Sequence, residues 1–278
     1  MKKLVMIAGG PSHGPGAHEY RAGSLLLARC LAGVPGLEVE VHGGGWVADE
    51  AGLETADAVV MYTDGGARHP LLVDDRLETI GRLARRGLGF GLMHWAVELP
   101  VDRGASEVDA WMGGHYEDGV SCNPMWDAAF EQLPDHPITR GVAPFGTHDE
   151  WYFNIRARGE ALVNEPEIRD GTGVTPILVA TPTDATRHGP YVWPHGPYPG
   201  VVAASGRAET LLWAVERADG GRGFGLTGGH YHANWGSDAF RTTALNALVW
   251  LTGAEVPAGG VPSIVSADDL TRDLDPKG

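Results

Sequence analysis

Cysteine is nearly absent: two in 278 residues. Cys30 falls on the apolar side of a predicted helix with Leu26, Leu27 and Leu31, and Cys122 sits in a loop, Ser121-Cys122-Asn123-Pro124. Nothing here suggests a disulfide framework, and a chain of this length buries enough core to need none. Basic residues are also scarce, 21 against 36 acidic ones, for a net charge of −15. With no basic stripe, nucleic acid is excluded as a partner. No stretch approaches the ~20 apolar residues of a membrane helix. The apolar start, Leu4-Val5-Met6-Ile7-Ala8, runs for only five residues against the 7–15 of a secretory signal, and it leads into Gly9-Gly10-Pro11. A first strand and a cytoplasmic protein are the expectation. The Gly9–Glu19 loop lacks the GxGxxG spacing and the Lys-Ser/Thr of a P-loop, so no standard phosphate cradle is expected there. Neither cysteine falls after a buried strand, so nucleophilic catalysis is poorly supported.

What the chain does have is histidine and tryptophan, twelve and nine residues, in a background of 41 glycines and 19 prolines without a repeat. Imidazole is the commonest metal ligand and titrates near neutrality. Indole offers a flat apolar face to a sugar as readily as to a core. The organising stretch is Gly87 to Glu98, where an apolar run ends abruptly in His94, Trp95 and Glu98. Short apolar runs between glycines suit strands buried on both faces, and ligands sit outside the carboxyl ends of such strands.

Along the chain, strands are predicted at 3–8, 37–41, 56–62, 147–153 and 175–180, and helices at 20–32, 71–86 and 105–112. Residues 209–217 and 223–227 read as a hairpin through Gly220-Gly221. Ser237 reads as the N-cap of a helix over 238–251. The β-α-β-β-α-β opening indicates a mainly parallel sheet. Residues 181–200 hold five prolines and read as a long loop of the kind that carries function; the tail from Gly253 reads as extended. No linker divides the chain, so one domain over 1–278 is expected.

Four predicted strand ends carry polar groups: His13, His18 and Glu19; Asp64; His94 and Glu98; His230 and His232. On one edge of a parallel sheet they would converge. Three neutral imidazoles would bind zinc or a similar divalent ion and polarise a carbonyl or activate water. Without metal, a histidine and a glutamate would serve as base and acid. No spacing here is a strong metal motif, and the residues leave both readings open. Glu150 and Trp151 would add a carboxylate and a stacking face; the plainer reading of Glu150 is a buried carboxylate paired with Arg156. The position where an elbow would present a nucleophile is occupied by His94.

Several motifs together resemble the ThuA-like (trehalose utilisation) proteins, which share a class I glutamine-amidotransferase-like fold. They are Ala8-Gly9-Gly10-Pro11-Ser12-His13-Gly14 with His18-Glu19, Val60 to Gly66, His94-Trp95-Ala96-Val97-Glu98, Asp135 to Gly141, Asp149-Glu150-Trp151-Tyr152, and Gly223 to Trp235. The resemblance implies a flavodoxin-like three-layer α/β sandwich with a mainly parallel central sheet and long loop insertions, and loss of the amidotransferase cysteine. It also implies a place in bacterial disaccharide use, in which sugars are oxidised to 3-keto derivatives by a partner sugar dehydrogenase. His13, His18, Asp64, His94, Glu98, Glu150, His230 and His232 lie in the matching motifs, and on the chemistry set out above His94, Glu98 and Glu150 are the expected catalytic residues. His13, Asp64, Trp95, Trp151, His232 and Trp235 are the expected substrate contacts, and His18, His94 and His230 the expected metal ligands.

The leading expectation is an enzyme acting on a keto-sugar or glycoside. The alternatives are a non-catalytic sugar-binding or regulatory domain, and a metal-dependent hydrolase of a small amide or ester. Expected partners are a small sugar, the dehydrogenase of the same pathway and a further copy of the chain in a homo-oligomer.

Overall fold

A computed structural model describes residues 1–277. In chain order its elements begin β1 (Lys2–Ala8), α1 (Tyr20–Leu31), β2 (Leu37–His42), β3 (Ala58–Tyr62), α2 (Arg76–Ala84), β4 (Gly89–Met93) and α3 (Ala105–Met112). An inserted hairpin, β5 (Met125–Phe130) with β6 (Phe145–Glu150), follows, then the short pair β7 (Arg156–Ala157) and β8 (Glu160–Ala161). The chain continues with β9 (Glu167–Arg169), β10 (Thr172–Ala180), α4 (Asp184–His188), α5 (Pro199–Val202), β11 (Glu209–Glu216), β12 (Arg222–Leu226), α6 (Asp238–Leu251) and α7 (Ala267–Thr271).

The main sheet has the order β2-β1-β3-β4-β12-β11-β10-β9. The first five of these strands are parallel, and their order is the 2-1-3-4-5 of flavodoxin-like folds. The last three add on antiparallel. Along β1 the side chains alternate between two cores. Leu4, Met6 and Ala8 pack with residues of α1 and α6, and Val5 and Ile7 with residues of α2 and α3. Burial on both faces explains the unbroken apolar runs of the central strands. The expected three-layer sandwich is thus present, with no helix long and apolar enough to cross a membrane among the described residues.

Register decides the site. Ala8 lies beside Tyr62, Tyr62 beside Met93, and Met93 beside Leu226. Four parallel strands therefore end in one row, and the loops that follow them start level with one another. Two glycines let this part of the fold close up. A Cβ on Gly225 would meet the Trp213 ring at 2.1 Å, and one on Gly65 would meet the Trp95 carbonyl oxygen at 2.0 Å.

The predicted helix over 71–86 is shorter than expected. Pro70–Leu72 forms a 3-10 turn, Asp74 takes a left-handed φ of 51°, and α2 begins only at Arg76. The 181–200 loop contains α4 and the start of α5, the first capped by Thr183, whose hydroxyl accepts from the Thr186 N–H at 3.1 Å. The predicted hairpin is present, and α6 starts where Ser237 caps it. The tail packs on the body: Val256 and Val261 are buried, and the Asp275 N–H donates to Glu19 at 2.9 Å.

Candidate metal and sugar site

His94 follows β4 directly and takes a left-handed φ of 56°, the strained turn expected of an elbow. Its ring is fully buried. His18 closes the loop after β1, and its backbone N–H donates to the His230 carbonyl at 2.9 Å. His230 lies on the loop after β12. That loop is held by Asp149, a fully buried carboxylate that accepts from the backbone N–H groups of Gly229 at 2.8 Å and His230 at 3.0 Å. Glu150, next in sequence, is delivered by the end of β6.

The four side chains meet. His18 Nε2 is 2.9 Å from His230 Nδ1 and 3.1 Å from His94 Nε2. Glu150 Oε2 is 2.7 Å from His230 Nδ1, 3.5 Å from His94 Nε2 and 3.9 Å from His18 Nε2. All four are buried, and they form a group that can hold a metal ion.

The surrounding hydrogen bonds fix the tautomers. His94 Nδ1 is 2.9 Å from the Thr227 carbonyl oxygen, which only accepts, so Nδ1 carries the proton. The Tyr20 hydroxyl donates to Asp64 Oδ1 at 2.9 Å, so it accepts from His18 Nδ1 at 2.5 Å. In the neutral rings both Nε2 atoms then present lone pairs to each other. A cation between them removes that repulsion. Tetrahedral ligand–ion bonds of ~2.0–2.2 Å place neighbouring ligand atoms roughly 3.3–3.6 Å apart, inside the 2.7 to 3.9 Å range of the contacts here. Imidazoles with one carboxylate suit zinc and its neighbours, and the Asp64–Tyr20–His18 chain is the outer support that metal-binding histidines commonly have.

Burial lowers the His94 pKa. Burial also opposes charge on Glu150, but His18, His230 and His94 hold its carboxyl well below the usual range. For His18, burial is outweighed by Asp64 and Glu150, and its pKa rises. Burial and the neighbouring His18 push His13 down to about 4.

A cleft of about 380 Å³ opens beside this group, lined by His13, Trp95, Glu98, Tyr116, Asp118 and Trp193 among others. Such a volume suits a small organic ligand. Half-buried Trp95 donates from Nε1 to Glu98 Oε2 at 2.7 Å. Burial raises Glu98 to about 7. The Tyr116 hydroxyl is buried without a hydrogen-bond partner among the described residues.

Of the expected site residues, His13, His18, Trp95, Glu98 and Glu150 line the cleft; His94 and His230 join His18 and Glu150 in the polar group. Asp64 supports His18 through Tyr20. Like Asp64, three further expected substrate contacts lie outside the cleft lining. Trp151 is fully buried against Phe130 and Phe240, and Trp235 is fully buried and stacked on Phe240 at 4.9 Å; neither offers a free face to a sugar. His232 is 3 % exposed, outside the cleft lining, with both ring nitrogens unpartnered among the described residues. The alternative pairing of Glu150 with Arg156 does not form, since Arg156 faces Glu117 at 3.6 Å.

Sequence reasoning passed over Tyr20, Asn123, Asp149, Tyr152 and Trp193. Tyr20 reads as the first residue of a helix, and Asp149 stands in the quoted Asp-Glu-Trp-Tyr motif without a role. Asn123 donates to Glu150 Oε1 at 2.9 Å, and the Tyr152 hydroxyl is 3.3 Å from His94 Nε2.

Fold and site together define an α/β sandwich carrying a buried three-histidine, one-carboxylate group where an elbow nucleophile would otherwise stand. The family model for trehalose utilisation, ThuA, matches residues 14–251, and the chain belongs to that family. Its backbone is similar to the crystal structure of a ThuA-like protein from Bacteroides uniformis (12 % identity, TM-score 0.60, 90 % of this chain and 91 % of that one). It is also similar to one from Parabacteroides merdae (16 % identity, TM-score 0.57, 96 % and 94 %). No curated protein sequence matches the chain.

Proposed function

We propose that the protein is a carbohydrate-processing enzyme that holds a divalent cation, zinc or a close relative, on His18, His94, His230 and Glu150, and acts on a keto-sugar or glycoside of the 3-keto-disaccharide type. Family membership supports the carbohydrate role. The observation that carries the site is the convergence of His18, His94, His230 and Glu150 on one buried point, with His18 Nε2 and His94 Nε2 3.1 Å apart.

The bound ion would supply positive charge to polarise a keto oxygen. The rest falls to the chain's own groups. His94 has both nitrogens engaged, so the base role passes to Glu98. That carboxyl sits in the same cleft with a pKa near 7, a value suited to moving a proton at neutral pH. A ketone acidifies the adjoining C–H. Glu98 as carboxylate takes that proton, and the resulting enolate either regains a proton elsewhere or expels a substituent from the next carbon. Trp95 gives the ring an apolar face, and the free Tyr116 hydroxyl offers a hydrogen bond. The keto group would come from a sugar dehydrogenase of the same pathway.

The test is turnover of a 3-keto-glycoside by the full chain, with and without prior chelation, and by His94→Ala. The proposal expects turnover that is lost on chelation, restored by the ion and abolished in His94→Ala. Full turnover after chelation, or in the variant, would overturn it.

A further inference from the structure

The cleft has a second aromatic surface at its rim. Trp193 lines it and is 71 % exposed. Exposing an indole leaves a large apolar area in water, yet this one is held in place. The segment around it carries Pro190, Pro194, Pro197 and Pro199, each with a restricted φ. Tyr191 beneath is buried, and its N–H donates to the His195 carbonyl at 3.1 Å. The backbone N–H groups of Val192 and Trp193 donate to the Asn123 carbonyl oxygen and Oδ1, each at 3.2 Å. The same Asn123 side chain donates to Glu150 at 2.9 Å. One asparagine therefore ties the rim to the polar group. The Trp193 ring itself meets only the edge of His195, at 5.9 Å, among the aromatic rings of the described residues.

We infer that Trp193 is a second binding platform, which takes the outer ring of a two-ring glycoside while the first ring lies against Trp95. The inference rests on the sugar chemistry proposed above and assigns the second ring of such a substrate its contact. A pyranose presents an apolar C–H face that suits an indole plane. Trp95, at the inner end, packs against His18 with ring centroids 5.7 Å apart, so a first ring placed there leaves Trp193 for whatever extends outward. A preformed platform loses little entropy on binding.

The experiment is calorimetric titration of the full chain with trehalose and with glucose, for the native protein, Trp193→Ala and Trp193→Phe. An exposed side chain can be removed without unfolding the chain, and circular dichroism checks this. Trehalose should bind the native protein about five- to tenfold more tightly than glucose, the scale of one aromatic contact. Trp193→Ala should bring trehalose down to the affinity of glucose and leave glucose unchanged, and Trp193→Phe should restore most of the difference. An unchanged trehalose-to-glucose ratio in Trp193→Ala, or equal weakening of both, overturns the platform while leaving the sugar reading in place. A native protein that binds neither sugar overturns the platform, while the sugar reading stands or falls separately on turnover of the 3-keto-glycoside.

Discussion

His18 Nε2 and His94 Nε2 face each other at 3.1 Å, and the Nδ1 of each ring is already a donor, one to the Tyr20 hydroxyl and one to the Thr227 carbonyl. Two basic nitrogens aimed at one point, with Glu150 beside them, make an arrangement that a cation completes. The predictions below follow from that relationship and from the groups that maintain it.

Tyr20 stands between His18 and Asp64. Tyr20→Phe should keep the fold, because the ring stays in its buried place, but release the His18 tautomer. Affinity for a divalent ion should fall about 10–100-fold, the usual cost of losing such an outer partner. Competition against a chromophoric chelator measures it.

Asp149 is fully buried, and its carboxylate is satisfied by backbone N–H groups of the loop that carries His230. Asp149→Ala leaves those donors unpaired. The expected loss is of order 3 kcal/mol in urea unfolding, accompanied by weaker ion binding because His230 loses its anchor.

Glu98 titrates near 7 because burial disfavours its charged form. As the proposed base it should make kcat/KM rise with pH through about 7 and level off above. Glu98→Gln should remove that limb and lower the rate by at least about 100-fold. The stability effect has a defined sign. A carboxyl whose folded pKa is raised binds its proton more tightly in the folded state, so folding stability is lost as pH rises from the unfolded value near 4.5 through 7. Glu98→Gln should flatten that fall in a pH series of urea midpoints.

The tryptophans divide by burial. Trp151→Ala should cost about 3–5 kcal/mol of stability, as for other large core truncations, because its ring is enclosed by Phe130 and Phe240. Trp95→Ala should instead weaken sugar binding with a much smaller change in stability, since Trp95 is only half-buried on the cleft wall. Urea unfolding alongside a sugar titration separates the two.

The parallel core was legible because its strands, buried on both faces, read as apolar runs ending in glycine and polar residues. Those ends named His18, His94 and His230 before their geometry was known. Glu150 arrived on a hairpin whose first strand, β5, gives little signal: Met-Trp-Asp-Ala-Ala-Phe alternates in burial but carries two alanines and no β-branched residue. The support around the histidines was not legible either. That Tyr20 bridges His18 to Asp64, or that Asn123 joins Glu150 to the Trp193 rim, depends on contacts across 44 and 70 positions of sequence, which periodicity does not encode. Trp151 and Trp235 were misplaced for a related reason. An aromatic beside a polar motif reads alike whether it faces the cleft or the core, and only the packing of Phe130 and Phe240 decides.

The most direct test of the cation site is isothermal titration of the metal-stripped full chain with zinc, paired with elemental analysis of the protein as purified. One ion per chain should bind, with affinity lost in His230→Ala and in Glu150→Gln. No saturable zinc binding, or binding that both variants retain unchanged, would contradict the account.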